Sequence, residues 1–359
     1  MYLLICFFVI VFAKTKNVIL RYRGENRLGL LHFYDDDRTL FTLYINTYLP
    51  FTLIRPYENS LSALMSSYID KKYIEELNRR QIIEDFNIQN YIINDYSYYS
   101  FNDKYTVDQL SLSYSFENES LSLVHMLYNN KVIEHKLFVI APKFDKEKNG
   151  YLYIGSIPNN TEHIKNKGKC KVQDDSLWSC QLDNIIVNRT ILNMNSKVIF
   201  HTGFEYTLLS KKLYDFLVNK IFVNYIKKDI CRVVPTPFEA LFCPNIDKIN
   251  IDFDIQFTFN DMIIKIPFRQ FMIKNKNIIP VYPIGRFQGD IVIGTPFISQ
   301  FNYTVFDYDD KSISIYSDWI HIENRKTISQ AALMCCFIVF NCMAIAIVFN
   351  LKNKVNNLY

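Results

Sequence analysis

Apolar positions between residues 39 and 316 come in short runs separated by turn-forming residues. The runs at 39–46, 137–140, 151–155, 185–187, 197–200, 251–259 and 312–316 are rich in β-branched and aromatic side chains and predict strands. Two stretches follow a different period. Residues 69–87 carry alternating charge with Ile and Leu at helical spacing, and residues 209–225 (LSKKLYDFLVNKIFVNY) repeat an apolar position every three to four residues, so both predict helices. The sum is a mainly β chain with few helices, a pattern open to sandwiches and barrels alike. Glycine separates the halves: only Gly24 and Gly29 precede Gly150, while Gly203, Gly285, Gly289 and Gly294 stand at turn-like positions further on.

Two longer apolar runs lie at the ends. Residues 1–13 (MYLLICFFVIVFA) have the apolar core and final small residue of a signal peptide, without its usual basic start. Residues 328–349 (ISQAALMCCFIVFNCMAIAIVF) hold no charge and match the length of a membrane-crossing helix, so 328–350 is expected to span and 351–359 to form a tail. Lys352 and Lys354 after the run argue against a lipid-anchor signal, which would end in its apolar stretch. Together the two runs predict a single-pass protein of the secretory pathway or cell surface. Its bulk would be lumenal or extracellular and its C-terminus cytosolic.

Composition narrows the classes. The net charge is +4, with Lys and Arg scattered among Asp and Glu, so there is no clustered basic footprint for nucleic acid. Four cysteines fall between the terminal runs, Cys170, Cys180, Cys231 and Cys243, which suits local disulfides in an oxidising compartment. Three connectivities are possible, and pairing within the two close couples, Cys170–Cys180 and Cys231–Cys243, is the one favoured. The spacing is not that of a zinc site and no histidines stand at ligand spacing, so neither metal nor cofactor is expected. Glycosylation sequons occur at Asn118, Asn159, Asn188 and Asn302, each pointing to a surface position in a secreted domain.

Four segments, in order, resemble the pepsin-like aspartic protease family. Residues 290–315 (DIVIGTPFISQFNYTVFDYDDKSISI) carry the apolar strand, Gly294, Phe297, the aromatic stretch Phe301–Tyr303 and the Val305-Phe306-Asp307 turn of that family. Residues 196–217 (SKVIFHTGFEYTLLSKKLYDFL) look like the strand, catalytic turn and helix of its second lobe. Residues 121–155, with Leu127-Tyr128, Ile133, Phe138 and the strand from Gly150 to Gly155, resemble the end of the first lobe. Residues 43–68 fall on the first catalytic strand and turn, through FTLIRPYENSLSALMSSY. The resemblance implies a bilobal fold of two β-barrel-like lobes, 14–150 and 151–320, around a central cleft. Cys231 and Cys243 sit where the family's second-lobe disulfide is expected.

The family's reaction needs two aspartates, one per lobe, sharing a proton across the cleft. On this resemblance the second-lobe Asp-Thr-Gly turn has become His201-Thr202-Gly203, and the first-lobe turn falls on Pro56-Tyr57-Glu58-Asn59. No Asp-Thr-Gly or Asp-Ser-Gly occurs anywhere in the chain. The flap that would close over substrate falls on residues 95–108, with Tyr96, Tyr98 and Tyr99 as its candidate tyrosines or as ordinary strand residues. The function implied is that of a membrane-anchored pseudopeptidase, catalytically inactive, holding a peptide or protein ligand in its cleft. The alternative is an aspartic-type endopeptidase with a non-standard active site such as His201 with Glu58. A third reading is a structural glycoprotein whose cleft has closed.

Overall fold

The computed structural model describes residues 18–23, 30–35, 38–48, 53–54, 80–88, 91–100, 109–114, 122–142, 149–173, 177–203, 207–234, 238–244, 253–268, 278–283, 291–325 and 343. The chain divides into one compact unit, Met1–Asn324, and a second, Arg325–Tyr359.

The first unit is built of strands. In chain order come β1 (Val18–Arg23), β2 (Leu30–Asp35), β3 (Arg38–Asn46), β4 (Leu53–Ile54), β5 (Arg80–Ile88), β6 (Tyr91–Ser100) and β7 (Gln109–Ser111). Helix α1 (Leu123–Asn129) leads to β8 (Leu137–Ala141), β9 (Asn149–Ile154) and β10 (Asn166–Lys171). Then follow β11 (Ser179–Val187), β12 (Thr190–Phe200), α2 (Lys211–Phe216), α3 (Val223–Lys227), β13 (Arg232–Val234) and β14 (Phe238–Phe242). The chain continues through β15 (Asp254–Phe259), β16 (Met262–Pro267), β17 (Ile278–Pro283), β18 (Ile291–Ile293), α4 (Thr295–Ile298), β19 (Tyr303–Asp307), β20 (Ser312–Ser317) and β21 (His321–Asn324).

A twelve-stranded sheet runs β10-β20-β19-β8-β9-β1-β2-β3-β7-β4-β6-β5, so late strands of the chain complete a sheet begun by early ones. A six-stranded sheet, β18-β12-β11-β15-β16-β21, and a three-stranded one, β13-β14-β17, belong to the second half. The expected lobe boundary at 150/151 falls inside β9. Most pairings are antiparallel, and two of the parallel ones position the site. β3 runs parallel to β7, whose other edge meets Leu53 of β4 antiparallel. β12 runs parallel to β18, whose Val292 pairs antiparallel with Leu208. Each centre strand therefore lies between a strand entering a turn and the segment leaving it.

The two arrangements are tied together by a buried aromatic core. The Trp178 indole N–H donates to the Leu112 carbonyl at 2.8 Å, just beyond β7, and the Trp178 carbonyl accepts from the Phe200 N–H at 2.9 Å, the last residue of β12. Its ring meets Phe138, Phe306 and Tyr308 at 5.8, 5.1 and 4.8 Å. Burying side chains of this size stabilises by roughly 1.5–3 kcal/mol each. The Tyr308 hydroxyl in turn donates to the Ser113 carbonyl at 2.7 Å.

The sequence expectations meet the structure unevenly. The strands expected at 39–46, 137–140, 197–200 and 312–316 are all present. The helix expected over 209–225 forms as α2, a π turn at Leu217–Ile221 and α3, with the Ser210 side chain capping its start at the Leu213 N–H. The helix expected over 69–87 is corrected over its described part: Arg80–Ile88 is β5, hairpin-paired with β6. Ile82, Ile83, Phe86 and Ile88 suit a strand, and a Tyr-rich partner strand outweighs a weak helical period. Both expected disulfides form, Cys170–Cys180 and Cys231–Cys243, with Cα separations of 6.1 and 4.2 Å. Among the described residues no helix is long and apolar enough to cross a membrane. The terminal runs 1–13 and 328–349 lie outside them, Met343 excepted.

Candidate functional site: two interlocked turns

Where β12 ends, His201, Thr202 and Gly203 form a turn. Where β3 ends, Asn46, Thr47 and Tyr48 meet it. The two threonines hold each other reciprocally. Thr47 N–H donates to Thr202 Oγ1 at 3.1 Å, and Thr202 N–H donates to Thr47 Oγ1 at 3.0 Å. Each hydroxyl then donates to the carbonyl two residues before the other threonine: Thr47 Oγ1 to Phe200 at 2.7 Å, Thr202 Oγ1 to Ile45 at 2.9 Å. All four groups are buried, so leaving any of them unpaired would cost about 1–3 kcal/mol.

This two-fold symmetry extends along the chain. Residues 46–54 read NTYLPFTLI and residues 201–209 read HTGFEYTLL. Leu53 and Leu208, each six positions after its threonine, are the residues that pair antiparallel with the centre strands. Asn46 and His201 are therefore equivalent positions of two equivalent turns.

Both are buried, Asn46 completely and His201 to 2 % exposure. The Asn46 carbonyl accepts from Leu112 N–H at 2.7 Å, and its Oδ1 accepts from Tyr48 N–H at 2.8 Å. His201 N–H donates to the Ile293 carbonyl at 2.9 Å, and Thr295 Oγ1 donates to the Thr202 carbonyl at 3.0 Å. The Tyr48 ring lies flat on the His201 imidazole, centroids 4.7 Å apart and planes at 4°. Burial pushes the His201 pKa down to about 3, opposed by a backbone hydrogen bond, so the ring is neutral at ordinary pH. Gly203 is there for room: a Cβ would come 2.7 Å from Asn46 Nδ2 and 3.1 Å from His201 Cε1. Its backbone lies outside the left-handed region: among the described residues the glycine with positive φ is Gly155.

Comparison with known proteins decides the family. Residues 100–317, more than half of the chain, match the model described as eukaryotic aspartyl protease. The chain belongs to the eukaryotic aspartyl protease family. Solved structures of the same fold include conglutin gamma, titled a unique basic 7S globulin from lupine seeds. It has a TM-score of 0.58 and 12 % identity over 85 % of this chain and 95 % of that one. Basic 7S globulin from soybean gives 0.57 at 11 % identity, over 84 % and 95 %. An aspartic proteinase from Irpex lacteus gives 0.56 at 12 % identity, over 84 % and 97 %. At these identities the likeness is one of fold, and it is shared by proteins titled globulin and proteinase alike. No curated protein matches the chain.

The expected site residues of this aspartyl-protease-family chain fare differently. His201, Thr202 and Gly203 form a turn at the end of β12. Pro56 was expected opposite them; it lies outside the described residues, and the residues that meet the His201 turn are Asn46, Thr47 and Tyr48. The physical reason is that β4 (Leu53–Ile54), taken as part of the strand entering the turn, is the segment leaving it. The missed signal was present in the repeat of Thr and Leu six apart. Tyr96, Tyr98 and Tyr99 stand within β6, opposite Glu84, Ile82 and Gln81, while the tyrosine next to the hairpin turn is Tyr91, paired with Ile88. Asn159 and Asn188 are exposed, and Asn118 lies outside the described residues. Asn302 does not have the surface position its sequon implied: it is 8 % exposed, its Nδ2 donates to Asp318 at 2.6 Å and its Oδ1 accepts from the Asp318 N–H at 2.9 Å. Among the described residues no group of three or more metal-ligating side chains assembles.

Proposed function

We propose that this protein is a catalytically inactive aspartyl-protease-family member that holds an extended peptide or protein segment in its cleft. The observation that carries the reading is the reciprocal lock of Thr47 and Thr202. In the family's Asp-Thr-Gly turns the aspartate directly precedes the threonine, so we read its two positions as Asn46 and His201 rather than Pro56 and His201. An amide cannot take a proton from water, and burial holds the imidazole neutral. Tyr48, at the first-lobe glycine position, lays its ring over the imidazole. Those features favour inactivity over the alternative of a non-standard endopeptidase. Peptide holding is supported by the β5–β6 hairpin, which joins the first-lobe turn through β4, and by the general ability of such sheet edges to pair an extended chain.

Membrane anchorage through 328–350, entry into the secretory pathway, and glycosylation at Asn159 and Asn188 belong to the same proposal. They rest on the terminal apolar runs, the two disulfides and the exposure of those asparagines. The binding claim is tested by incubating the full chain with a mixed peptide library and identifying retained peptides by mass spectrometry. Recovery of a consistent set of intact peptides supports it. An empty eluate favours the closed, purely structural reading, and retained fragments with new termini favour the enzyme.

A further inference from the structure

Of the chain's two tryptophans, Trp178 is fully buried and Trp319 is 57 % exposed. Trp319 lines a groove of about 420 Å³ on the outer face of β15, β16 and β21. The inner face of those strands is core, with Ile255, Phe257, Ile264, Ile266 and Ile322 buried. Along the groove stand Asp254, Gln256, Lys265 and His321, a mixture of donors and acceptors around one broad apolar ring. A single exposed indole is ordinary on a protein surface; here it lines a groove with polar groups at its edge. A pyranose ring fits that combination: its C–H face stacks on an indole while its hydroxyls need donors and acceptors.

The register places a source for that sugar. Val187 pairs with Ile255, both buried, so the next residues outward are Asn188 and Asp254. Asp254 pairs with Pro267, and two positions beyond the Lys265–His321 pair lie Pro267 and Trp319. Asp254 and Pro267 thus mark a row across the sheet, flanked by Asn188, one residue past β11, and Trp319, two residues before β21. Three strand spacings, about 14 Å, lie between β11 and β21. Asn188 begins the sequon Asn188-Arg189-Thr190, and it is exposed at the β11–β12 turn with φ 45°. The core of an N-linked glycan, several sugar rings long, covers that span.

We propose that a glycan on Asn188 folds back along this row and stacks on Trp319, using the groove as a built-in saccharide site. The inference rests on the secretory reading above and goes beyond it. The full chain, purified from a glycosylating eukaryotic host, is mapped by mass spectrometry and its tryptophan fluorescence quenched with acrylamide. Buried Trp178 emits but is shielded from the quencher, so the quenching reports Trp319, and Trp319→Phe abolishes it. The expected result is a glycan on Asn188, and quenching that rises when it is removed enzymatically or by Asn188→Gln, but not by Asn159→Gln. A glycan on Asn159 with Asn188 bare overturns the inference and leaves the secretory reading standing. Glycans at neither site overturn both. Glycosylated Asn188 with quenching unchanged on removal also overturns it. If soluble oligomannose shields Trp319 of Asn188→Gln while removal of the attached glycan does nothing, the groove serves a free saccharide and the attached-glycan claim fails.

Discussion

At the scale of single residues the site is a reciprocal lock of two buried threonines, Thr47 and Thr202. His201 makes a pH prediction. Its folded pKa of about 3 lies below the unfolded value of about 6.5. Above 6.5 both states are neutral at this ring; as pH falls through the window the unfolded chain takes a proton that the folded one refuses. Stability is therefore lost between about pH 6.5 and about pH 3, at up to about 1.4 kcal/mol per pH unit. Denaturant midpoints measured against pH should fall more steeply for the native protein than for His201→Phe, and parallel curves would refute the assignment. The threonine lock makes a second prediction. Thr47→Val and Thr202→Val should each lose about 1–3 kcal/mol, and together clearly less than the sum, because each leaves the other's partners unpaired. Additive losses would mean that the turns do not hold each other. The second-lobe turn was legible in the sequence because it kept Thr-Gly. The first was not, because on the proposed reading Asn46 and Tyr48 stand at the two positions by which such a turn is recognised. What persists is Thr47, whose task is a backbone contact, and a lone threonine carries little sequence signal.

At the scale of elements, strands with strong β-branched and aromatic content, such as β8, β12 and β20, announced themselves. Arg80–Ile88 did not, since its charges and isoleucines fit a helical period equally well until β6 supplied a partner. The symmetry of β3-β7-β4 with β12-β18-Leu208 was also invisible to strand prediction, because the centre strands come from far along the chain and are three residues long. Disulfide pairing was read correctly from spacing alone. Cys231–Cys243 closes a loop with a sequence separation of 12, just after α3, and both sulfurs are buried. Replacing both by Ala should lower the unfolding free energy by about 2–3 kcal/mol, read from chemical denaturation under oxidising conditions. A change below a few tenths would show that the bond constrains nothing.

At the scale of the whole molecule, a fold of the eukaryotic aspartyl protease family is joined to a proposed membrane tether. The full chain should stay with membranes through alkaline extraction, whereas a chain ending at Asn324 should be released; equal release of both would remove the tether. The general fold was legible because residues 290–315 preserve its closing strands, and the proposed loss of its chemistry was half legible because one of the two turns keeps Thr-Gly. The most direct test of that chemistry is hydrolysis of a peptide mixture by the purified full chain from pH 3 to pH 8, with and without a transition-state-mimicking inhibitor of aspartic proteases. The account predicts no new peptide termini at any pH, in native protein or in His201→Ala. Inhibitor-sensitive cleavage that disappears in His201→Ala would contradict it.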